Sequence, residues 1–161
     1  MRKLIQAEAP WPLVLVGAVG SGKTCAALCL SDAAGPEAIY WTVEAFHAAL
    51  VQARNGKFIR EGYVDSWRVP AQTLWQEWAD APLVVLDELG VRGAVSDPQY
   101  ETTKRAIDSR EGKPAVFISN VGLNALAKLY DDRIASRLAA GTVFHLDTED
   151  RRLDSRREVL G

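Results

Sequence analysis

The sequence predicts an α/β fold in which a five-stranded parallel sheet is flanked by helices. Two observations predict it. Five short apolar runs alternate with segments of helical period, the pattern of a sheet wrapped on both faces. The run "GAVGSGKT" (17–24) stands between the first apolar run and the first helical segment, where a buried strand would turn into a helix. Composition agrees: 161 residues, 48% hydrophobic and 25% charged, suit one globular domain with a sizeable core. With a net charge of −2, any nucleic-acid contact must come from a local patch. No apolar run approaches a membrane span, and the polar N-terminus is too short for a secretory signal. No membrane association and a cytoplasmic location are therefore expected.

The elements follow in order. "WPLVLVG" (11–17) is short, apolar and rich in Val and Leu, a buried strand. "KTCAALCLSDAAG" (23–35) is a helix stopped by Gly35 and Pro36. Its Cys25 and Cys29, at i and i+4, make poor disulfide geometry and are expected as small core residues rather than a redox pair. "EAIYWTV" (37–43) is the second strand and "EAFHAALVQAR" (44–54) the second helix. "NGKFIREGYVDSWRVP" (55–70) has no clean period and is expected as a loop or short irregular helix. "AQTLWQEWAD" (71–80) is a helix with Leu74, Trp75 and Trp78 on one stripe, followed by the strand "LVVLDE" (83–88). "PQYETTKRAIDSR" (98–110) is a helix and "PAVFISN" (114–120) the fourth strand. "NALAKLYDDRIASRLAAG" (124–141) is helical with a break near Asp131, and "TVFHLD" (142–147) is the fifth strand. The core is expected over 1–147, with 148–161 a solvated tail dense in both charges.

"GAVGSGKT" fits G-x-x-x-x-G-K-[ST], with Gly17, Gly22, Lys23 and Thr24 in place. The chemistry explains the spacing. Gly17, Gly20, Ser21 and Gly22 let the backbone curl so that successive N–H groups face phosphate oxygens. Cys25 follows where the helix presents its positive end. Lys23 would reach the β- and γ-phosphates of ATP, and Thr24 would put its hydroxyl on Mg²⁺. "LVVLDELG" then ends a strand in an acidic pair, at the edge where ligands bind in open parallel sheets. Asp87 would hold Mg²⁺, and Glu88 could orient or deprotonate the attacking water, which favours a hydrolysing ATPase over a small-molecule kinase. Asn120 ends "FISN" and can hold that water beside the γ-phosphate; its alternative is a role in the following turn. Arg133 and Arg137 lie one turn apart on one helix face, either a solvated surface or an arginine finger.

"AIDSREGKPAVFISNVGLNALAKLYDDRIASRL" (106–138), with the P-loop and "LDELG", resembles the core of the DnaC/IstB-like helicase-loader ATPases, a branch of the AAA+ family. The resemblance runs from about Leu13 to Arg152. It implies a P-loop NTPase fold (AAA+ core) without a separate lid domain, its strands ordered 5-1-4-3-2 across the sheet. It implies that Asn120 is sensor 1, that Arg137 is the arginine finger with Arg133 its companion or a structural partner, and that Arg151 in "EDRR" is a sensor-2-like contact. Arg110 matches a family position without an assigned role, a structural one being the alternative. The implied function is ATP binding and hydrolysis in loading a replicative helicase during DNA replication, on single-stranded DNA, by a homo-oligomer. IstB-like assistance to a transposase is the rival, and a hydrolytically idle nucleotide-dependent interaction module is another. Such loaders carry an N-terminal segment that grips the helicase; this chain starts shortly before its first strand, as a trimmed core or a minimal form would.

The resemblance places DNA contacts after the second strand, where this chain has Arg54, Lys57, Phe58 and Arg60. Basic residues beside an aromatic suit a groove that tracks phosphates and stacks bases; the alternative is a solvated loop with Phe58 tucked beneath it. Trp11, Trp41, Trp67, Trp75 and Trp78 are expected to pack. His47 and His145 are isolated and suggest no metal cluster.

Overall fold

The structure, a computed structural model, describes residues 10–62, 65–91 and 95–146. Its elements are β1 (Leu13–Gly17), α1 (Lys23–Ala34), β2 (Ile39–Thr42), α2 (Val43–Arg54), β3 (Ile59–Glu61), β4 (Ser66–Arg68) and α3 (Ala71–Asp80). These are followed by β5 (Val84–Leu89), α4 (Asp97–Asp108), β6 (Ala115–Ser119), α5 (Leu123–Leu129), α6 (Asp132–Ala139) and β7 (Thr142–Leu146). Five strands form one parallel sheet in the order β2-β5-β6-β1-β7. Counted along the chain, that is second, third, fourth, first, fifth, the order the resemblance implied.

The three central strands β1, β5 and β6 read as apolar runs because the sheet is buried on both faces there. In β1, Val14 and Val16 enter the larger core with Phe46, Leu50, Trp78, Leu86 and Phe117. Leu13 and Leu15 face the other way, joining Ala27 and Leu30 of α1 with Val85 and Ile118. The buried residues of α1 are Lys23, Ala27 and Leu30. That phase turns Cys25 and Cys29 outward: both are exposed free thiols rather than core residues. Lys23 sets the phase, since its ammonium is drawn into the preceding loop.

Residues 55–70 differ from the expected loop or irregular helix. They contain an antiparallel hairpin, with Ile59 opposite Arg68, Arg60 opposite Trp67 and Glu61 opposite Ser66. Each strand is only three residues long, so no period emerges from the sequence. A two-stranded ribbon this short needs outside support. Arg60 supplies it with a two-pronged pair to Glu77 of α3, at 2.7 and 2.8 Å. Trp67 is 50% exposed, so the packing expected of all five tryptophans fails for this one.

The helix break falls where expected. Asp131 accepts the Ile134 N–H at 2.7 Å and caps α6, while Tyr100 donates to its other oxygen at 2.5 Å. That phenol holds the Asp131 carboxyl below its ordinary value. Arg110 acquires a structural role. Only 1% exposed, its guanidinium donates to the carbonyls of Trp78 (3.2 Å) and Ala79 (3.0 Å) at the end of α3 and to Pro114 (2.6 Å) ahead of β6. The last carbonyls of α3 lack helical partners, and the buried fork supplies donors to two of them.

Candidate nucleotide-binding site

The site is built where β1 hands over to α1. Gly17 pairs with Leu146 of β7, and a Cβ there would meet the Leu146 carbonyl oxygen at 2.5 Å. Only glycine fits so close an approach. Gly22 precedes α1 with φ 90°, a left-handed conformation that glycine adopts without strain. It offers no side-chain cap, so α1 presents its first N–H groups toward the loop. Lys23 is 5% exposed and curls back into that loop. Its Nζ donates to the carbonyls of Gly17 (2.8 Å) and Ala18 (2.6 Å) and to Ser21 Oγ (3.3 Å). A cation thus already sits in the mouth of the cradle.

β5 delivers the acidic pair opposite the cradle. Asp87 is 6% exposed. Its Oδ2 accepts from Thr24 Oγ1 and from Tyr40 Oη, both at 2.8 Å, and its Oδ1 accepts the Glu88 N–H at 2.6 Å. Burial, then the hydrogen bond and charge of Asp87, push the Tyr40 phenol up, so it remains a donor. Thr24 and Asp87, distant in sequence, therefore meet as a hydroxyl–carboxylate pair of hard oxygens, the donor set that Mg²⁺ selects. The residues present fit Mg²⁺ and a polyphosphate.

Glu88 carries the chain's non-glycine positive φ among the described residues, 66°. The ladder to β6 slips there: Leu86 pairs with Phe117, but Leu89 pairs with Ser119. The bulge lets Asp87 point inward and leaves Glu88 exposed. Such a conformation costs about 1–3 kcal/mol and persists only where surrounding structure enforces it. Ser119, fully buried at the end of β6, helps to do so. Its Oγ accepts the Val121 N–H at 3.0 Å and shares its proton between the carbonyls of Leu89 (2.9 Å) and Val121 (2.8 Å). Asn120 follows it, exposed at the same edge of the sheet.

The arginines of α6 stand apart from this cluster. Arg133 is exposed. Arg137 pairs with Asp108 at the end of α4 and approaches Glu111 at 3.9 Å. It lines a cavity of about 210 Å³ with Trp11, Pro12 and Arg110. Among the residues expected to meet DNA, Arg54 and Lys57 are exposed, Phe58 packs partly against the core, and Arg60 is held by Glu77. Arg151 lies outside the described residues, as does the charged tail. Among the described residues no three His, Cys, Asp or Glu side chains cluster to hold a metal, and no helix is long and apolar enough to cross a membrane. Tyr40 and Ser119 escaped sequence reasoning: a tyrosine in an apolar strand reads as packing, and Ser119 reads as a strand end.

The fold is that of P-loop NTPases of AAA+ architecture, a five-stranded parallel sheet flanked by helices. No protein-family model matches the sequence, and no curated protein does. Solved structures do match. The crystal structure of the DnaC helicase loader superposes with a TM-score of 0.71 at 19% identity, over 92% of this chain and 85% of that one. AMPPCP-bound DnaA from Aquifex aeolicus gives 0.71 at 16%, over 98% of this chain and 49% of that one. The replication initiator DnaA bound to AMPPCP and single-stranded DNA gives 0.70 at 18%, over 99% and 48%. This chain spans about half the length of those DnaA chains. At these identities the likeness is one of fold.

Proposed function

We propose that the chain binds and hydrolyses ATP with Mg²⁺ and acts as a helicase-loader-like protein in DNA replication. One observation carries the reading. Thr24 at the start of α1 and Asp87 at the end of β5 hydrogen-bond at 2.8 Å beside a lysine-filled glycine loop, with the outward Glu88 next in sequence. Gly17, Gly20, Ser21 and Gly22 shape the cradle, Lys23 meets the phosphates, and Cys25 adds its backbone N–H. Thr24 and Asp87 would hold Mg²⁺, which when bound supplies charge neutralisation for the phosphates. Glu88 orients the attacking water and takes its proton, and Asn120 steadies it from the next strand. Arg137, with Arg133 beside it, serves the site of a neighbouring copy in a homo-oligomer, exchanging Asp108 for a phosphate, which its planar fork suits. Arg151 stays assigned to a sensor-like contact.

The likeness to DnaC and to DNA-bound DnaA supports a replicative helicase and single-stranded DNA as partners. Arg54 and Lys57 are the exposed cations for that strand. Phe58 and Arg60 would join them only if the hairpin loosens from the core and from Glu77. Turnover tests the reading: the wild type hydrolyses ATP, faster with single-stranded DNA. Glu88→Gln retains nucleotide while losing about 10²-fold or more in rate. Wild-type turnover in Glu88→Gln assigns the water to another group, and absence of turnover in the wild type leaves an idle module. Capture of a transposase in preference to a replicative helicase redirects the protein to transposition.

A further inference from the structure

Tyr40 sits on β2, the edge strand of the main sheet, and is 36% exposed. Packing alone therefore does not require its hydroxyl, and a phenylalanine would cover the edge as well. Yet that hydroxyl reaches Asp87 Oδ2, the oxygen that also accepts from Thr24. Asp87 is thus gripped from three directions: by the Glu88 N–H of its own strand, by Thr24 of α1 and by Tyr40 of β2. The terminal torsion of an aspartate is broad and roughly two-fold, so its carboxylate turns unless partners fix it. The Glu88 bond belongs to the strained bulge, and Thr24 is itself a candidate ligand. Tyr40 alone of the three comes from neither the acidic turn nor the phosphate loop.

We propose that Tyr40 is a positioning residue of the Mg²⁺ site, its hydroxyl fixing the Asp87 carboxylate in the orientation that metal binding needs. The inference rests on the reading of the loop as a Mg²⁺–nucleotide site. Groups that orient a metal ligand are worth about 10-fold or more in metal affinity when removed. The hydroxyl touches Asp87 and no assigned phosphate-binding group, so nucleotide affinity without metal is untouched by its loss.

Equilibrium titration of Mg²⁺ into the full chain with a fluorescent ADP tests this without relying on turnover. In Tyr40→Phe the Mg²⁺ concentration at half-maximal binding rises about 10-fold, while metal-free ADP affinity and melting temperature match the wild type. Tyr40→Val, a strand former without the hydroxyl, gives the same shift and serves if the phenylalanine variant is poorly folded. An unchanged Mg²⁺ midpoint in either folded variant overturns the role of Tyr40 and leaves the nucleotide site standing. An equal fall in metal-free affinity overturns it too, because the residue then acts on the whole site. If the wild type shows no Mg²⁺-dependent ADP binding, the nucleotide reading itself falls and takes Tyr40 with it.

Discussion

The glycine loop at 17–24 and the hairpin at 59–68 are alike on paper: short, polar, and interrupted by glycine. They are held in opposite ways. The loop is organised from within. Two glycines at φ 82° and 90° set its path, Lys23 binds the carbonyls of Gly17 and Ala18, and the first turn of α1 begins at once. The hairpin is organised from without. Its three-residue strands are tied to the body through Arg60–Glu77, and Val69 beyond it is buried and donates its N–H to the Phe58 carbonyl at 3.0 Å. The loop's shape is thus written in residue types at fixed spacing, while the hairpin is tethered in part by a glutamate in another helix. The first tolerates little change in sequence, and the second trades on contacts that can be released.

The sharpest way to break this comparison is Lys23→Ala. It removes both the loop's internal cation and the candidate phosphate contact, and nucleotide binding falls below detection in a direct titration. Unchanged affinity would sink the loop's assignment. A smaller but still large effect concerns the outlying α6. Arg137→Ala, assayed for turnover, loses about 10³-fold or more if the arginine completes a neighbour's site. Equal mixing with Lys23→Ala then restores part of the rate, because an intact loop and an intact arginine can meet across an interface. Absence of recovery places Arg137 with Asp108 as a structural pair.

The smallest effect tests the hairpin. The Arg60 guanidinium holds the Glu77 carboxyl below its ordinary value. Its contribution is therefore complete above the unfolded pKa of about 4.3 and is lost as pH falls through the lower folded value. Both side chains are more than a third exposed, at 38% and 35%, so solvent screening keeps the pair within about 1 kcal/mol. Glu77→Gln lowers thermal stability by no more than that at neutral pH and flattens its loss on the acid side. The same variant frees Arg60, and tighter single-stranded DNA binding would show that the hairpin cation is held in reserve. A change in nucleotide affinity instead would couple the hairpin to the glycine loop.

What could be read from the sequence divides along the same line. β1, the glycine loop, α1, and the acidic end of β5 were legible because burial, helical period and close backbone approach restrict residue type. The break at Asp131 was legible because a cap is a local bond. The register of β3 against β4 was not, since strands of three residues carry no readable period. The phase of α1 misled: the spacing of Cys25 and Cys29 says that they share a face, but only the inward pull on Lys23 decides that the face is outward. Arg110 is the converse. Its position could be noted, but its purpose becomes visible only when the end of α3 and the start of β6 lie side by side. The bulge that isolates Glu88 leaves no mark in "LDEL", because glutamate is no turn residue and its φ is imposed by neighbours.

Among the described residues, α1 is the helix whose buried side chains line the smaller core, against Leu13, Leu15, Val85 and Ile118. The same helix opens with Lys23 and Thr24. A ligand clasped at its first turn is therefore also a clamp on the cover of one sheet face, and the free energies of occupancy and of folding are linked by mass action. A ligand at a hundred times its dissociation constant adds about 2.7 kcal/mol to the resistance of the native state against unfolding. Loss of a ligand from that turn would then loosen the cover as well as empty the cradle, and the emptied chain would be the less durable of the two forms.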